Sequence, residues 1–182
     1  MRYKILKRNK IQFGSYALVP IRQQDKYKIM KWRNEQVYHL RQNGKLTKEV
    51  QEKYFSTTIK DLFKIHKPNQ LLFSYLENEE CIGYGGLVHI DWINLNAEIS
   101  FIMDTSREKE EFHRHWRNYL KMLEEIAFED LKFKKIFTFA YDLRPHLFET
   151  IEKCGYRLEG VLKKHYLLDG KFYDVKIHSK IR

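Results

Sequence analysis

The chain has 182 residues, of which 43% are hydrophobic and 15% aromatic, which suffices for one well-packed core and excludes a disordered protein. Its net charge of +10 and pI near 9.4 favour anionic partners and argue against a polycationic substrate. No apolar run approaches the roughly 18 residues of a membrane span, and none forms a signal peptide. We therefore expect one cytoplasmic domain over residues 1–182, without a membrane partner.

The first part of the chain predicts one strand and one short helix after a basic start. Residues 1–14 are rich in Lys and Arg and predict a basic arm or a short strand. Tyr16–Arg22 predicts a strand. Asp25–Asn34 has helical spacing, with Tyr27 and Met30 expected on the inward side.

A second helix and a three-stranded meander follow. Thr47 is a good N-cap. The helix that it begins is expected to continue to about His66. Its inward face is expected at a spacing near four residues, at Val50, Tyr54, Thr58 and Leu62. The next three strands have short connections and are therefore expected to pair antiparallel, over Leu71–Glu77, Cys81–Asp91 and Asn96–Asp104.

The strand Asn96–Asp104 leads through a charged turn into a long helix that ends near Leu131. The apolar stripe of this helix comprises Phe112, Trp116, Tyr119, Leu120, Leu123, Ile126, Ala127 and Leu131. The next strand, Lys135–Tyr141, follows a helical crossover, so we expect it to run parallel to Asn96–Asp104. An antiparallel half joined to one parallel pair predicts a sheet that splays between this fourth and this fifth strand and leaves a cleft there.

The last part of the chain predicts a helix and a hairpin. Pro145 suits a first helical turn, and Gly155 suits a left-handed cap at the helix end. Asp169-Gly170 is a two-residue turn signal between the arms His165–Leu168 and Phe172–Ile177. The predicted fold class is α+β, with a mixed, mostly antiparallel twisted sheet of about seven strands and four flanking helices.

Several short motifs occur together in this sequence. The most specific is Glu152-Lys-Cys-Gly-Tyr156 followed by Leu158-Glu159-Gly160. The other pieces are Ala97-Glu98-Ile99, Ile126-Ala-Phe128, Arg22-Gln-Gln-Asp25 and Trp32-Arg33-Asn34. In this order and at these spacings, the motifs resemble the GNAT superfamily of acyl-CoA-dependent N-acyltransferases. The resemblance covers about Tyr16–Ser179 and extends to the branch with ribosomal-protein, spermidine and amino-sugar-nucleotide acetyltransferases.

The resemblance implies acetyl-CoA as co-substrate, with Phe101, Ile102 and Met103 along its pantetheine arm. A splayed sheet edge suits this role, because its unpaired N–H and C=O groups need partners. In the family, the N-terminal amides of the following helix hold the pyrophosphate.

The glycine-rich pyrophosphate loop of the family has no counterpart in this sequence. Counted back from Ala127-Phe128, its glycines would fall near Phe112, Arg114 and Trp116. Arg114 and Arg117 are the cationic side chains that could bind the phosphates instead. A solvated helix start without a ligand is the alternative.

Amine acylation needs a base for the ammonium group and a donor for the tetrahedral oxyanion. Glu98 is the candidate base, since an acid in a mostly buried strand needs a purpose or a partner; pairing with a neighbouring Arg or Lys is the alternative. A backbone N–H near Ile102 or Met103 would stabilise the oxyanion. Relatives carry a general-acid tyrosine where Ile151 stands here, and Tyr141 is the candidate substitute, with a buried core tyrosine as the alternative.

The acceptor pocket of such folds lies between the first two helices and the sheet, where the candidate residues are Trp32, Arg33, Asn34, Tyr38 and Arg41. Trp32 could equally belong to the core, and Arg33 to the surface. The basic chain favours an anionic amine, such as a nucleotide-linked amino sugar, over a polyamine. No metal is expected, because His113 and His115 lack partners for a coordination set.

Three functions remain open from the sequence. The first is an N-acetyltransferase for a small anionic amine, and the second is the same chemistry on a protein N-terminus. The third is a GNAT-fold binding protein that has lost acyl-CoA binding. Terminal strands mediate dimers in relatives, so a homodimer is also an expectation, whereas nucleic acid is not an expected partner.

Overall fold

The computed structural model describes residues 1–182, whose eight strands form one continuous sheet. The strands are β1 (Ile11–Phe13), β2 (Tyr16–Pro20), β3 (Leu71–Glu77), β4 (Glu80–Asp91), β5 (Asn96–Met103), β6 (Lys135–Tyr141), β7 (Arg157–Leu168) and β8 (Lys171–Ile181). Their order in the sheet is β1-β2-β3-β4-β5-β6-β8-β7, and only β5 and β6 run parallel. The α+β class and the parallel pair are confirmed.

Four helices flank the sheet, as expected. They are α1 (Lys26–Glu35), α2 (Lys48–Tyr54, continued by the π-helical Phe55–Ile59 and a last turn Lys60–Leu62), α3 (Glu108–Glu124, continued by the π-helical Glu125–Asp130) and α4 (Pro145–Lys153). None of these helices has the length and apolar character needed to cross a membrane.

The sheet has eight strands instead of about seven, because the basic arm contributes β1, which pairs antiparallel with β2. Earlier in the arm, Tyr3 is fully buried. Its hydroxyl donates to the carbonyl of Leu72 and accepts from the amide of the same residue, both at 2.9 Å. The arm is thus fastened to β3 by a buried side chain as well as by strand pairing.

The predicted inward face of α1 is wrong. Ile29 and Trp32 are buried, whereas Tyr27 is 43% exposed and bonded to a carboxylate of α2. The buried face begins at Asp25, whose carboxylate accepts from the Ser74 hydroxyl at 2.6 Å. The buried face thus comprises Asp25, Ile29 and Trp32, and the predicted Met30 is half-buried beside it.

Thr47 caps α2 as predicted, since its hydroxyl accepts from the Val50 amide at 3.3 Å. Of the predicted inward stripe of this helix, Leu62 is buried and Tyr54 is half-buried against the core, whereas Thr58 is exposed and Val50 is 52% exposed. The side chains that α2 buries are Gln51, Phe55, Ile59 and Leu62. The wider π-helical turn keeps Phe55 and Ile59 on one face, which differs from the face that the sequence indicated.

The stripe of α3 is buried as predicted, except that Leu131 is only half-buried. Tyr119 of this helix stacks on Phe101 at a centroid distance of 3.9 Å. Its hydroxyl donates to the Ser100 carbonyl at 2.8 Å. This approach requires glycine at position 85, where a Cβ atom would lie 2.6 Å from the Tyr119 hydroxyl.

The sheet splays where the sequence predicts. Residues 96–98 of β5 pair with residues 135–137 of β6, and the pairing ends at Glu98 and Phe137. Beyond that point β5 continues to Met103 beside β4 only, and β6 continues to Tyr141 beside β8 only. The backbone groups that face this gap have no strand partner across it.

The C-terminal turn signals are also confirmed. Pro145 begins α4, and Gly155 ends it with φ of +89°. Asp169 and Gly170 both have positive φ, at 49° and 75°, as a tight hairpin turn requires. The arms are longer than predicted, since β7 and β8 include the residues on both sides of the expected hairpin.

Candidate functional site

A cavity of about 200 Å³ lies in the gap between β5 and β6. The titratable side chains on its wall are Arg33, His39, Arg41, Glu98, Tyr141 and Arg144. Its aromatic side chains include Phe101, Trp116 and Phe139. The cavity therefore holds three guanidinium groups and a single carboxylate, which gives it a cationic wall.

Glu98 lies in this cavity with its side chain only 7% exposed. Its Oε1 accepts from Arg41 Nη2, and its Oε2 contacts His89 Nδ1 at 2.8 Å. The pairing with a neighbouring Arg, which the sequence left open as an alternative, is therefore present. The carboxylate also lines the cavity.

The segment after α1 carries His39 and Arg41 over the end of β5. Gln36 holds it there, because its buried amide donates to the Met103 carbonyl at 2.8 Å and to the Thr105 hydroxyl at 3.0 Å. Its Oε1 lies 3.2 Å from His39 Nε2. Burial lowers the pKa of His39 to about 3, so this imidazole is neutral in the folded protein.

Tyr141 lines the cavity from the end of β6 and is only half-buried, so it is not a core residue. Its ring stacks on Tyr166 of the terminal hairpin, with centroids 3.7 Å apart and planes 5° from parallel. Burial raises the pKa of Tyr141, which keeps the phenol protonated near neutral pH. A protonated phenol at this place can donate a proton or a hydrogen bond.

The glycine positions counted back from Ala127-Phe128 do not fall in a loop. Phe112 and Trp116 are buried residues inside α3, which begins at Glu108. The turn that precedes this helix is Thr105–Arg107. The count therefore placed the loop too late in the chain.

The loop after β5 is acidic and already internally bonded. The Asp104 carboxylate accepts from the Ser106 amide at 3.0 Å and from its hydroxyl at 2.8 Å. Glutamates occupy the first turn of α3 at positions 108, 110 and 111. These carboxylates suit the helix dipole, but they oppose a second anion at the same place.

Of the predicted acyl-CoA residues, Phe101 lines the cavity, whereas Ile102 and Met103 are buried beside it. The Met103 carbonyl is occupied by Gln36. Arg114 and Arg117 lie outside the cavity wall, and Arg114 pairs with Glu111 on its own helix. Phe101 and Glu98 thus line the same cavity, whereas Arg114 and Arg117 are exposed on α3.

Arg144 is the cation that the sequence did not single out. It is 8% exposed, lines the cavity and pairs with Glu108 at 3.1 Å. It precedes α4, so the ion pair joins the start of α4 to the start of α3. A basic residue before a helix-starting proline was the only signal for it in the sequence.

The predicted acceptor residues divide into two groups. Arg33 and Arg41 line the cavity. Trp32 is 2% exposed and belongs to the core, which was the alternative for it. Asn34 has a different contact, since its side chain accepts from the Leu46 amide at 2.7 Å and donates to the Leu46 carbonyl at 2.9 Å. Tyr38 is outside the cavity wall and 39% exposed.

A second, mostly apolar cavity of about 240 Å³ lies between α1 and α2. Arg33 lines both cavities, and it has no carboxylate partner. Its Nη1 donates to the Tyr84 hydroxyl at 2.5 Å, and its Nε donates to Gln42 at 2.7 Å. A guanidinium without a counter-ion at the junction of two cavities can bind an anionic group.

No group of three or more His, Cys, Asp or Glu side chains is arranged to hold a metal ion. Cys81 and Cys154 are free thiols, the first buried and the second half-buried.

The splayed parallel pair, the carboxylate in its gap and the helix that follows define the class of acyl-CoA-dependent N-acetyltransferases. A family model described as acetyltransferase (GNAT) domain matches residues 18–177. The chain therefore belongs to the GNAT acetyltransferase family, whose members take the acetyl group from acetyl-CoA.

Solved structures agree on the fold. The spermidine N-acetyltransferase from Vibrio cholerae, solved in complex with CoA and spermine, is 20% identical, with a TM-score of 0.78 over 92% of this chain and 95% of that chain. A dodecameric structure of spermidine N-acetyltransferase from Vibrio cholerae has a TM-score of 0.75 at 20% identity, over 92% of this chain and 94% of that chain. At this identity the likeness establishes the fold alone. No curated protein matches the sequence.

Proposed function

We propose that the protein transfers the acetyl group of acetyl-CoA to the primary amine of a small acceptor that carries an anionic group, such as a nucleotide-linked amino sugar. The observation that carries this proposal is the charge of the cavity wall, with three arginines and one carboxylate. Localisation in the cytoplasm, inferred from the sequence, belongs to the same proposal.

Two of the three guanidinium groups on the wall already have a carboxylate partner. Arg41 pairs with Glu98. Arg144 pairs with Glu108, which lies outside the wall. Arg33 is left with neutral partners only. A phosphate or carboxylate on the acceptor would supply the missing counter-charge, and a guanidinium binds either one bidentately.

A polyamine is the main competing acceptor, because the structural relatives are named as spermidine N-acetyltransferases. A polycation would need to displace existing ion pairs to find carboxylates in this cavity. The guanidinium groups of the cavity wall would also repel a polycation. The cavity therefore supports an anionic amine over spermidine.

The chemistry that we propose uses three groups. Glu98 takes a proton from the acceptor ammonium, and the free amine then attacks the thioester carbon. A backbone N–H at Ile102 or Met103 stabilises the oxyanion. Tyr141 gives its phenol proton to the departing thiolate and regains one from the nitrogen of the new amide, which loses its second proton as the product forms.

The pantetheine arm would lie along β5 beyond Glu98, with Phe101 beside it. Its fit is supported by the open strand edges and by the cavity between them. Carboxylates crowd the loop after β5, so the pyrophosphate needs cationic side chains there. Arg114 and Arg117 stay the proposed phosphate ligands, and Arg144 is a third cation near the same helix start.

The experiment is a CoA-release assay with an acceptor panel: a nucleotide-linked amino sugar, the free amino sugar, spermidine and a short peptide with a free N-terminus. We expect kcat/KM to be highest for the nucleotide-linked amine and to fall as salt rises. In Arg33→Gln, KM for this acceptor should rise while the rate with the free amino sugar stays. Spermidine or the peptide as best acceptor would contradict the proposal.

Two further measurements complete the test. Glu98→Gln should lower kcat by about 100-fold, as loss of a general base does. Calorimetry with acetyl-CoA should give a binding signal; its absence would favour the third function, a binding protein that has lost its acyl donor. The homodimer also remains a proposal, supported by exposed apolar side chains on the terminal hairpin at Leu158, Leu162, Leu167 and Phe172.

A further inference from the structure

His89 lies in a bulge of β4 directly beside the proposed base. Val88 pairs with Glu98 and Asp91 pairs with Asn96, so His89 and Ile90 together oppose one residue of β5. The φ of His89 is +48°, in the left-handed region that non-glycine residues seldom adopt. Such bulges aim a side chain away from its regular direction.

The bulge brings the imidazole to the carboxylate. His89 Nδ1 lies 2.8 Å from Glu98 Oε2, on the oxygen that Arg41 does not bind. The His89 side chain is 64% exposed, whereas that of Glu98 is 7% exposed. The imidazole therefore connects a buried carboxylate to solvent.

The other side chains on the cavity wall do not contact Oε2 of Glu98. The guanidinium of Arg41 binds Oε1 and has only donors, so it cannot accept the proton. Burial raises the pKa of Tyr141, so its phenol is already protonated and cannot accept the proton either. Imidazole is the side chain that both accepts and releases a proton near neutral pH.

We propose that His89 carries to solvent the proton that Glu98 takes from the acceptor amine, an inference that rests on the proposed function. The ammonium gives its proton to the Glu98 carboxylate. The resulting carboxylic acid passes a proton from Oε2 to Nδ1 of the imidazole in its Nε2–H form. The imidazolium then loses its Nε2 proton to water, and Glu98 is again a carboxylate, which accepts a hydrogen bond from Nδ1–H. Proton exchange of the ring with water restores the Nε2–H form before the next turnover. His89 acts through Glu98, so it is a positioning and proton-transfer residue.

Two variants separate this role from a structural one. His89→Gly suits the left-handed backbone and leaves a space beside Glu98. His89→Asn also tolerates that backbone and keeps a hydrogen-bond donor near the position of Nδ1, but it cannot carry a proton. His66→Asn, at an exposed position after α2, is the matched control.

Steady-state rates are measured with and without added imidazole. We expect kcat of both His89 variants to fall by about tenfold or more, with KM for acetyl-CoA unchanged. Imidazole should restore most of the rate in His89→Gly, where it fits beside Glu98, and little in His89→Asn, where the amide fills the space. His66→Asn should match the wild-type protein in both conditions.

Wild-type rates in His89→Asn would show that the hydrogen bond alone matters and would overturn the inference. So would a loss in His89→Gly that imidazole does not restore while acetyl-CoA binding and the thermal midpoint are kept. Failure of the proposed function looks different: the wild-type protein itself would then release no CoA with any acceptor of the panel.

Discussion

The ion pair between Arg144 and Glu108 holds the starts of α3 and α4 together beside the cavity, and Arg144→Met tests it. Nη1 and Oε1 lie 3.1 Å apart, with side chains 10% and 20% exposed. Methionine keeps much of the aliphatic volume but leaves the carboxylate without its cation. Burial already raises the pKa of Glu108, and Arg144 is the group that lowers it.

The loss of stability expected in Arg144→Met follows from the geometry of this ion pair. At a separation of 3.1 Å and an effective dielectric constant near 20, the gross attraction is about 5 kcal/mol. Removing one partner of a fully buried pair costs about 3–5 kcal/mol. Because Glu108 keeps a fifth of its exposure, we expect the free energy of unfolding to fall by about 2 kcal/mol at pH 7.

The loss should depend on pH in a defined direction. Without Arg144, the folded-state pKa of Glu108 lies above its unfolded value of about 4.3. The folded protein then binds the proton more tightly than the unfolded chain does. The deficit of Arg144→Met is therefore small below that pH and develops as pH rises through the folded-state pKa.

Urea unfolding followed by tryptophan fluorescence, at pH 4 and pH 7, measures this effect. The double variant Glu108→Gln with Arg144→Met removes the stranded charge and should recover most of the loss. The control is Arg182→Met, whose exposed pair with Glu129 should be worth about 0.5 kcal/mol or less. A loss no larger than in this control, or no recovery in the double variant, would refute the reasoning.

The remaining predictions concern the packing of the sheet, the stability of the protein at low pH and the binding of the acyl donor. In Gly85→Ala the new Cβ would lie 2.0 Å from the Ser100 carbonyl oxygen, so we expect a loss of at least about 2 kcal/mol in thermal unfolding; an unchanged midpoint would contradict the close approach. Burial lowers the pKa of His39 to about 3, from about 6.5 in the unfolded chain, so its contribution to stability is present above pH 6.5 and is lost as pH falls toward 3. His39→Gln should flatten that part of the stability curve, and an unaltered curve would argue against a neutral buried imidazole. Combined Arg114→Ala and Arg117→Ala should weaken CoA binding at least about tenfold in calorimetry if they hold the pyrophosphate, and equal affinity would exclude them.

Local patterns predicted the framework of this protein correctly because they depend on neighbours in the sequence. The caps at Thr47 and Gly155, the hairpin turn at Asp169-Gly170 and the stripe of α3 are each specified within a few residues. The order of these elements then constrained the topology, including the parallel pair and the splay after Glu98.

Predictions of which helix face points inward, and of where a helix begins, were less accurate. On α1 the buried residues are Ile29 and Trp32, whereas Tyr27 faces outward. The loop after β5 was placed too late, because the count back from Ala127-Phe128 fell inside a helix that begins at Glu108. In both cases the position depends on how the helix packs on the sheet, which spacing along the sequence does not determine.

The sequence by itself determined the class of fold, the place of the cleft and the presence of an acid, Glu98, on the strand beside it. Only the tertiary structure decided the surroundings of that acid. Arg41 and His89 reach it from a loop and a bulge, and Arg144 and Arg33 complete a cationic wall. Arg41 lies 57 residues from Glu98 in the chain, and His89, which is nine residues away, reaches it only through the bulge. The energies of these contacts depend on burial that arises only when the sheet and helices have packed.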